Sequence, residues 1–191
     1  MAETIEGARL EGTLDAGGMR FALVAARFNG FVVDRLIGGA RDALERLGCS
    51  PGDITVVRVP GAFEIPPVAE RLAWAGRFDG VICLGAVIRG ATPHFDYVAS
   101  QSASGVARVA RKSPIPVIYG ILTTDSVEQA VDRAGAKSGN RGADAALAAV
   151  EMASLYRALP ARRPLRTADR VARTAPRGLR GAPAARRRRR R

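Results

Sequence analysis

Apolar residues in this chain follow two rhythms that take turns along the sequence. Four short runs, residues 21–26, 54–59, 80–87 and 116–122, are rich in Val, Ile, Leu and Ala without strict alternation. That pattern predicts parallel strands covered on both faces. Between them the period lengthens to that of a helix. Residues 33–47 place Leu36, Ile37, Ala40, Leu44 and Leu47 on one stripe, and Gly48 follows as a stop signal. Residues 67–75 and 97–110 predict two further helices. Asp125, with Glu128 three residues on, predicts the start of a fourth, and a longer helix follows over about 142–159, ended by Pro160. A weaker strand signal lies near residues 8–14.

Strand and helix therefore alternate four times, with one extra helix at the end. Such alternation implies right-handed crossovers and a parallel sheet between helical layers, a three-layer α/β sandwich. Past about Arg162 the periodicity stops. The expected organisation is one domain over residues 1–160 and an Arg/Pro/Ala-rich tail over 161–191, whose composition predicts disorder.

Composition narrows this picture. The chain has 191 residues, enough for one domain with a buried core, and 47% of them are hydrophobic. No apolar run reaches the roughly 18 residues of a membrane span. Residues 1–11 carry three glutamates and no apolar stretch, so no secretory signal is read there and a cytoplasmic protein is expected. Two cysteines, Cys49 and Cys83, sit in apolar segments and read as reduced core residues. The net charge of +12 suggests nucleic-acid binding until it is located. Residues 157–191 hold fourteen arginines against one acid, Asp169, which leaves the preceding 156 residues at about −1. The domain is nearly neutral, and the excess lies in the tail.

Ligands of open parallel sheets bind beyond the carboxyl ends of the strands. That rule selects residues 27–30, 60–64, 89–95 and 123–125, which include the only histidine, His94, and three of the six Phe residues. Imidazole suits proton transfer near neutral pH, and the strand-to-helix turn favours this role for His94 over that of an idle surface residue. Gly85 and Gly90 have the spacing of a phosphate loop, but Ala91 and Thr92 stand where a nucleotide triphosphatase needs Lys and Ser or Thr. Free backbone N–H groups there could still hold a simple phosphate, with Arg89 or Arg133 completing the site. Phe28 and Phe63 could stack on a planar heterocycle, whereas Tyr119 fits core packing as well. Glu64 could be a capped carboxylate or an acceptor for a polyol. One His and two distant Cys give no metal-ligand spacing, and neither a nucleophile elbow nor a dinucleotide fingerprint is present.

At these same loops the sequence resembles the lumazine synthase family. The matching segments are RFNG (27–30), VPGAFEIP (59–66), LGAVIRGATPHFDYV (84–98), GILTTDSVEQAVDRAG (120–135) and KSGNRGADAALAAVEMASL (137–155). The resemblance spans roughly residues 8–159 in the family's order and implies a flavodoxin-like, four-stranded parallel sheet. It also implies condensation of 5-amino-6-(D-ribitylamino)uracil with 3,4-dihydroxy-2-butanone 4-phosphate to 6,7-dimethyl-8-ribityllumazine, the penultimate step of riboflavin biosynthesis. The family needs no metal or organic cofactor, only positioning, anion binding and proton transfer.

Carried over by resemblance, Phe28 stacks on the pyrimidine, and Ala62, Phe63 and Glu64 line the ribityl pocket. Val87 and Ile88 border the ring. Ala91 and Thr92, with Arg133, bind the phosphate, and His94, aided by Asp96, moves protons. Family members are pentamers, pairs of pentamers or shells of twelve, with sites between subunits. Tyr119, Lys137, Arg141 and Asp144 then come from the neighbour. The short connection 135–142 allows a shell. Tyr119 stands where Phe is commoner and Arg141 where Lys is common. Arg keeps the charge but cannot act as a neutral amine.

Two other functions fit parts of the sequence. A flavin- or lumazine-binding protein on the same scaffold would need the stacking and ribityl contacts, but not a phosphate site beside His94. Binding of RNA or another polyanion would rest on the tail alone. No membrane association is expected.

Overall fold

The computed structural model describes residues 9–160, so the arginine-rich tail lies outside the described residues. Four strands, β1 (Phe21–Ala26), β2 (Ile54–Val59), β3 (Gly80–Ile88) and β4 (Val117–Thr124), form one parallel sheet in the order β2-β1-β3-β4. Five helices accompany them: α1 (Gly30–Arg46), α2 (Ile65–Ala73), α3 (His94–Lys112), α4 (Val127–Asp132) and α5 (Arg141–Ala158). This is the three-layer, flavodoxin-like α/β arrangement expected from the sequence.

The central strand β1 shows why its apolar run did not alternate. Phe21, Leu23 and Ala25 point to the α1/α5 side, and Ala22, Val24 and Ala26 to the α2/α3 side. All six are buried because both faces are covered. β3 repeats the division, with Ile82, Leu84 and Ala86 on the first side and Val81, Cys83 and Val87 on the second. The edge strand β2 is more exposed, most clearly at Thr55 and Val56.

On the α1/α5 side the two helices meet at unusually close range. A Cβ on Gly142 would overlap the Leu36 carbonyl oxygen, so only glycine lets the backbones approach this far. Asn140 fastens the crossing. Its Oδ1 accepts from the N–H groups of Gly142 (2.8 Å) and Ala143 (3.3 Å), which caps α5, while its Nδ2 donates to the Arg35 carbonyl of α1 at 2.9 Å.

Two expectations change. Residues 9–14 form no strand. This segment instead runs against α5, where Thr13 is bonded through N–H (3.0 Å) and Oγ1 (2.9 Å) to Ser154 Oγ. Gly12 passes so close to the Glu151 carbonyl that a side chain would not fit. The cap of α4 is Ser126 rather than Asp125: its hydroxyl accepts from Gln129 N–H at 3.3 Å. Asp125 is diverted by an arginine described below.

Candidate active site

Strand order reverses direction at β1, whose neighbours β2 and β3 leave it on opposite sides. Loops departing such a switch point separate and leave a crevice at the carboxyl ends of the strands. A cavity of about 700 Å³ opens there. It is lined from the β1 loop by Phe28, from the β2 loop by Ala62, Phe63 and Glu64, and from β3 and its loop by Val87, Ile88, Thr92 and His94. Phe95 and Val98 of α3 form part of its wall. Eight of the residues singled out in the sequence therefore converge on one space.

Local backbone geometry explains how each side chain gets there. Arg27 and Phe28 continue the bonding of β1, their N–H groups donating to the Val59 (2.7 Å) and Pro60 (3.1 Å) carbonyls. Asn29 then adopts a left-handed conformation, φ 56°, that few side chains other than Asn tolerate. Its Nδ2 donates to the Ala86 carbonyl of β3 at 2.9 Å, tying the β1 loop across the cavity floor. The chain turn leaves the Phe28 ring 71% exposed at the rim, an orientation open to a planar ligand and wasteful for a core residue. Phe63 is also exposed. Gly61 leaves room for the Glu64 carboxylate, since a Cβ there would stand 3.1 Å from Oε2.

His94 is the first residue of α3, exposed at the cavity edge after the exposed stretch Gly90–Pro93. Its neighbour Asp96 is bonded to an arginine. Asp96 Oδ1 accepts from Arg89 at 3.2 Å, and Arg89 Nε donates to Asp125 Oδ1 at 2.9 Å. The same guanidinium lies 4.1 Å from the centre of the Phe95 ring. The bond to Asp125, reinforced by Asp96, raises the Arg89 pKa above its ordinary value. Arg89 is thus engaged by two carboxylates, one from α3 and one from the turn after β4.

The remaining predicted residues gather elsewhere. A second cavity, of about 390 Å³, lies along β4 and α5 and is lined by Tyr119, Arg133, Arg141 and Asp144 among others. It shares no lining residue with the first. Arg141 is paired with Asp144 at 2.9 Å, and Arg133 donates to the Gln129 carbonyl at 3.2 Å. Tyr119 is half-exposed, and its hydroxyl lies 3.4 Å from Ser102 Oγ, where partial burial raises its pKa. Within one chain, then, Arg133 is not brought to Thr92 and His94. Lys137, on the exposed α4–α5 connection, lines neither cavity, and Ala91 stands exposed between Gly90 and Thr92.

Sequence reasoning missed Asn29 as the tie between loops, although its place directly after Phe28 in a strand-end turn was a usable signal. It also did not foresee the carboxylates that engage Arg89, because they come from other elements. Among the described residues no cluster of His, Cys, Asp and Glu could hold a metal ion, and no helix is long and apolar enough to cross a membrane.

Comparison with known proteins identifies the family. The family model described as 6,7-dimethyl-8-ribityllumazine synthase matches residues 18–157. A protein of that name from Nitratidesulfovibrio vulgaris (strain DP4) is 58% identical over 142 residues, covering 74% of this chain and 91% of the relative. Another, from Desulfatibacillum aliphaticivorans, is 56% identical over 146 residues, 76% of this chain and 94% of its own. A third, from Clostridium kluyveri, is 55% identical over 149 residues, 78% and 97% respectively. The matched region contains every strand, every helix but the last residue of α5, and both cavities; the chain belongs to the 6,7-dimethyl-8-ribityllumazine synthase family.

Proposed function

We propose that this chain condenses 5-amino-6-(D-ribitylamino)uracil with 3,4-dihydroxy-2-butanone 4-phosphate, giving 6,7-dimethyl-8-ribityllumazine, phosphate and water. The observation that carries the reading is the convergence of an exposed aromatic ring, a carboxylate and an imidazole on the switch-point cavity. Phe28 would stack on the pyrimidine and Glu64 would accept from the ribityl hydroxyls. The β3 end at Val87 and Ile88 would border the ring. The amine of the first substrate attacks the ketone of the second, and loss of water forms the imine. Phosphate then leaves, and attack of the ribitylamino nitrogen on the remaining carbonyl, with loss of a second water, closes the ring and completes the lumazine. Each step needs a proton moved rather than a new bond to the protein. His94, at the cavity edge, is the group suited to moving it.

The phosphate is assigned to Ala91 and Thr92 together with Arg133. Arg133 lines the second cavity beside Tyr119 and Arg141, so the same reading has it reach the phosphate from an adjacent copy of the chain. Lys137 and Asp144 belong to the same contributed face. A pentamer-based assembly follows from this reading, as does residence in the cytoplasm with the substrates. Residues 1–160 would carry the synthase; the tail over 161–191 reads first as a dispensable extension, and binding of RNA or another polyanion through its arginines is the sharper alternative.

Mixing the purified chain with both substrates and following lumazine absorbance tests the central claim. A rate no higher than the spontaneous condensation would sink it. His94→Ala should lower kcat by about tenfold to a hundredfold, toward the low end for positioned acid–base groups, without reaching zero. Arg133→Ala should raise KM for the phosphate-bearing substrate and leave KM for the pyrimidine nearly unchanged.

A further inference from the structure

Gly90–Pro93 is a run of four exposed residues that leads from the half-buried end of β3 at Ile88, and the exposed Arg89 after it, to His94, the first and likewise exposed residue of α3. Pro93, in the cap position of α3, has no side-chain group to anchor the helix start. A histidine at the end of such a loop would sample many positions unless something beyond the loop fixed it. One side chain spans the interval. Arg89 leaves the end of β3, where its N–H donates to the Thr124 carbonyl at 2.9 Å. Its guanidinium then returns to the two residues after His94, lying over the Phe95 ring and bonded to Asp96. Asp125, from the turn after β4, holds the remaining edge of the fork.

We propose that Arg89 is the positioning residue for His94, a clamp that closes the Gly90–His94 loop and fixes the imidazole against the cavity. This rests on the reading of His94 as the proton-transfer group. The clamp uses three properties found together only in arginine: a planar face for Phe95, and two separate N–H edges for Asp96 and Asp125. The charged groups around the loop are Arg89, Asp96 and Asp125, with Glu64 across the cavity; Arg89 compensates the two nearer carboxylates. Exposed ion pairs add little to stability, so the clamp's effect belongs in the rate rather than in Tm.

The test is a double-mutant comparison of kcat with both substrates saturating, in the intact chain. Arg89→Gln should lower kcat about tenfold in the parent, yet cause almost no further loss in a His94→Ala background. Thermal unfolding should move little. Should Arg89→Gln fail to accumulate as folded protein, Asp125→Asn, which removes the anchor and spares the arginine, is read in the same way. Arg89→Lys should recover only part of the rate, because an ammonium cannot hold both carboxylates and the ring. Equal fold-losses in both backgrounds would overturn the proposal by showing a general distortion. An unchanged kcat with a raised KM for the phosphate substrate would overturn it in favour of direct anion binding. A His94→Ala variant as fast as the parent would remove the His94 reading itself, an outcome distinct from the other two.

Discussion

Cys83 and Phe28 mark two extremes of what single residues do in this molecule. Cys83, in the middle of β3, is fully buried, and desolvation of its thiolate pushes the thiol pKa up to about 12. The folded chain therefore keeps this proton where an unfolded chain, with an ordinary thiol near 9, gives it up. The stabilising term is complete below pH 9 and is lost as pH climbs toward 12. Denaturant unfolding measured across that window should show stability falling with pH, and Cys83→Ala should flatten its contribution. A thiol reagent at pH 8 should leave Cys83 unmodified until the chain unfolds. Phe28 is the opposite case, a large ring held out in solvent by the left-handed turn at Asn29. Asn29→Gly would keep the turn but lose the amide bond to Ala86, and Asn29→Ala would lose both. The pyrimidine KM should rise for both variants and more for alanine. Equal KM values for parent and variants would show that the tie does not set the ring's position.

At the level of elements, the α1/α5 crossing is the most exacting contact in the fold. Gly142→Ala should cost about 1–3 kcal/mol, since the added methyl meets backbone that cannot yield. Gly38→Ala, on the exposed side of α1 with open space around it, should be neutral or stabilise by up to about 1 kcal/mol. Asn140→Ala should lose about 0.5–2 kcal/mol from the cap alone, and more from the bond to Arg35. Differential scanning of the three variants checks the order. The same elements show how much could be read from the chain beforehand. β1 was legible to the residue because a buried parallel strand leaves an uninterrupted apolar run, and β2 because its β-branched Ile, Thr and Val residues mark even a partly exposed edge strand. β4 was placed slightly early, since Thr123 and Thr124 pair with β3 through backbone atoms that polar side chains do not reveal. The strand signal at 8–14 followed local composition, but tertiary contact with α5 decided that segment. The site was legible to the extent that loops at strand ends announce themselves by Gly, Pro, Phe and His. The Arg89–Asp125 pairing was hidden because it joins residues 36 apart.

For the whole molecule, charge and geometry lead to separate expectations. The charge excess resides in residues 157–191, outside a nearly neutral domain. Deleting 163–191 should abolish salt-sensitive retention of RNA while leaving lumazine formation intact, and equal retention by both forms would refute an RNA-binding tail. Geometry bears on assembly. His94 and Arg133 line different cavities of one chain, so a complete site in the proposed reading draws its halves from two copies. A contact that joins unlike surfaces head to tail forms rings, where its rotation closes, rather than two-fold pairs. Genetic damage would then be shareable. Chains carrying His94→Ala and chains carrying Arg133→Ala are each impaired alone. Co-assembled in equal amounts, about a quarter of their junctions would unite an intact histidine with an intact arginine. Such mixed rings should show interallelic complementation, with activity well above the mean of the two parents.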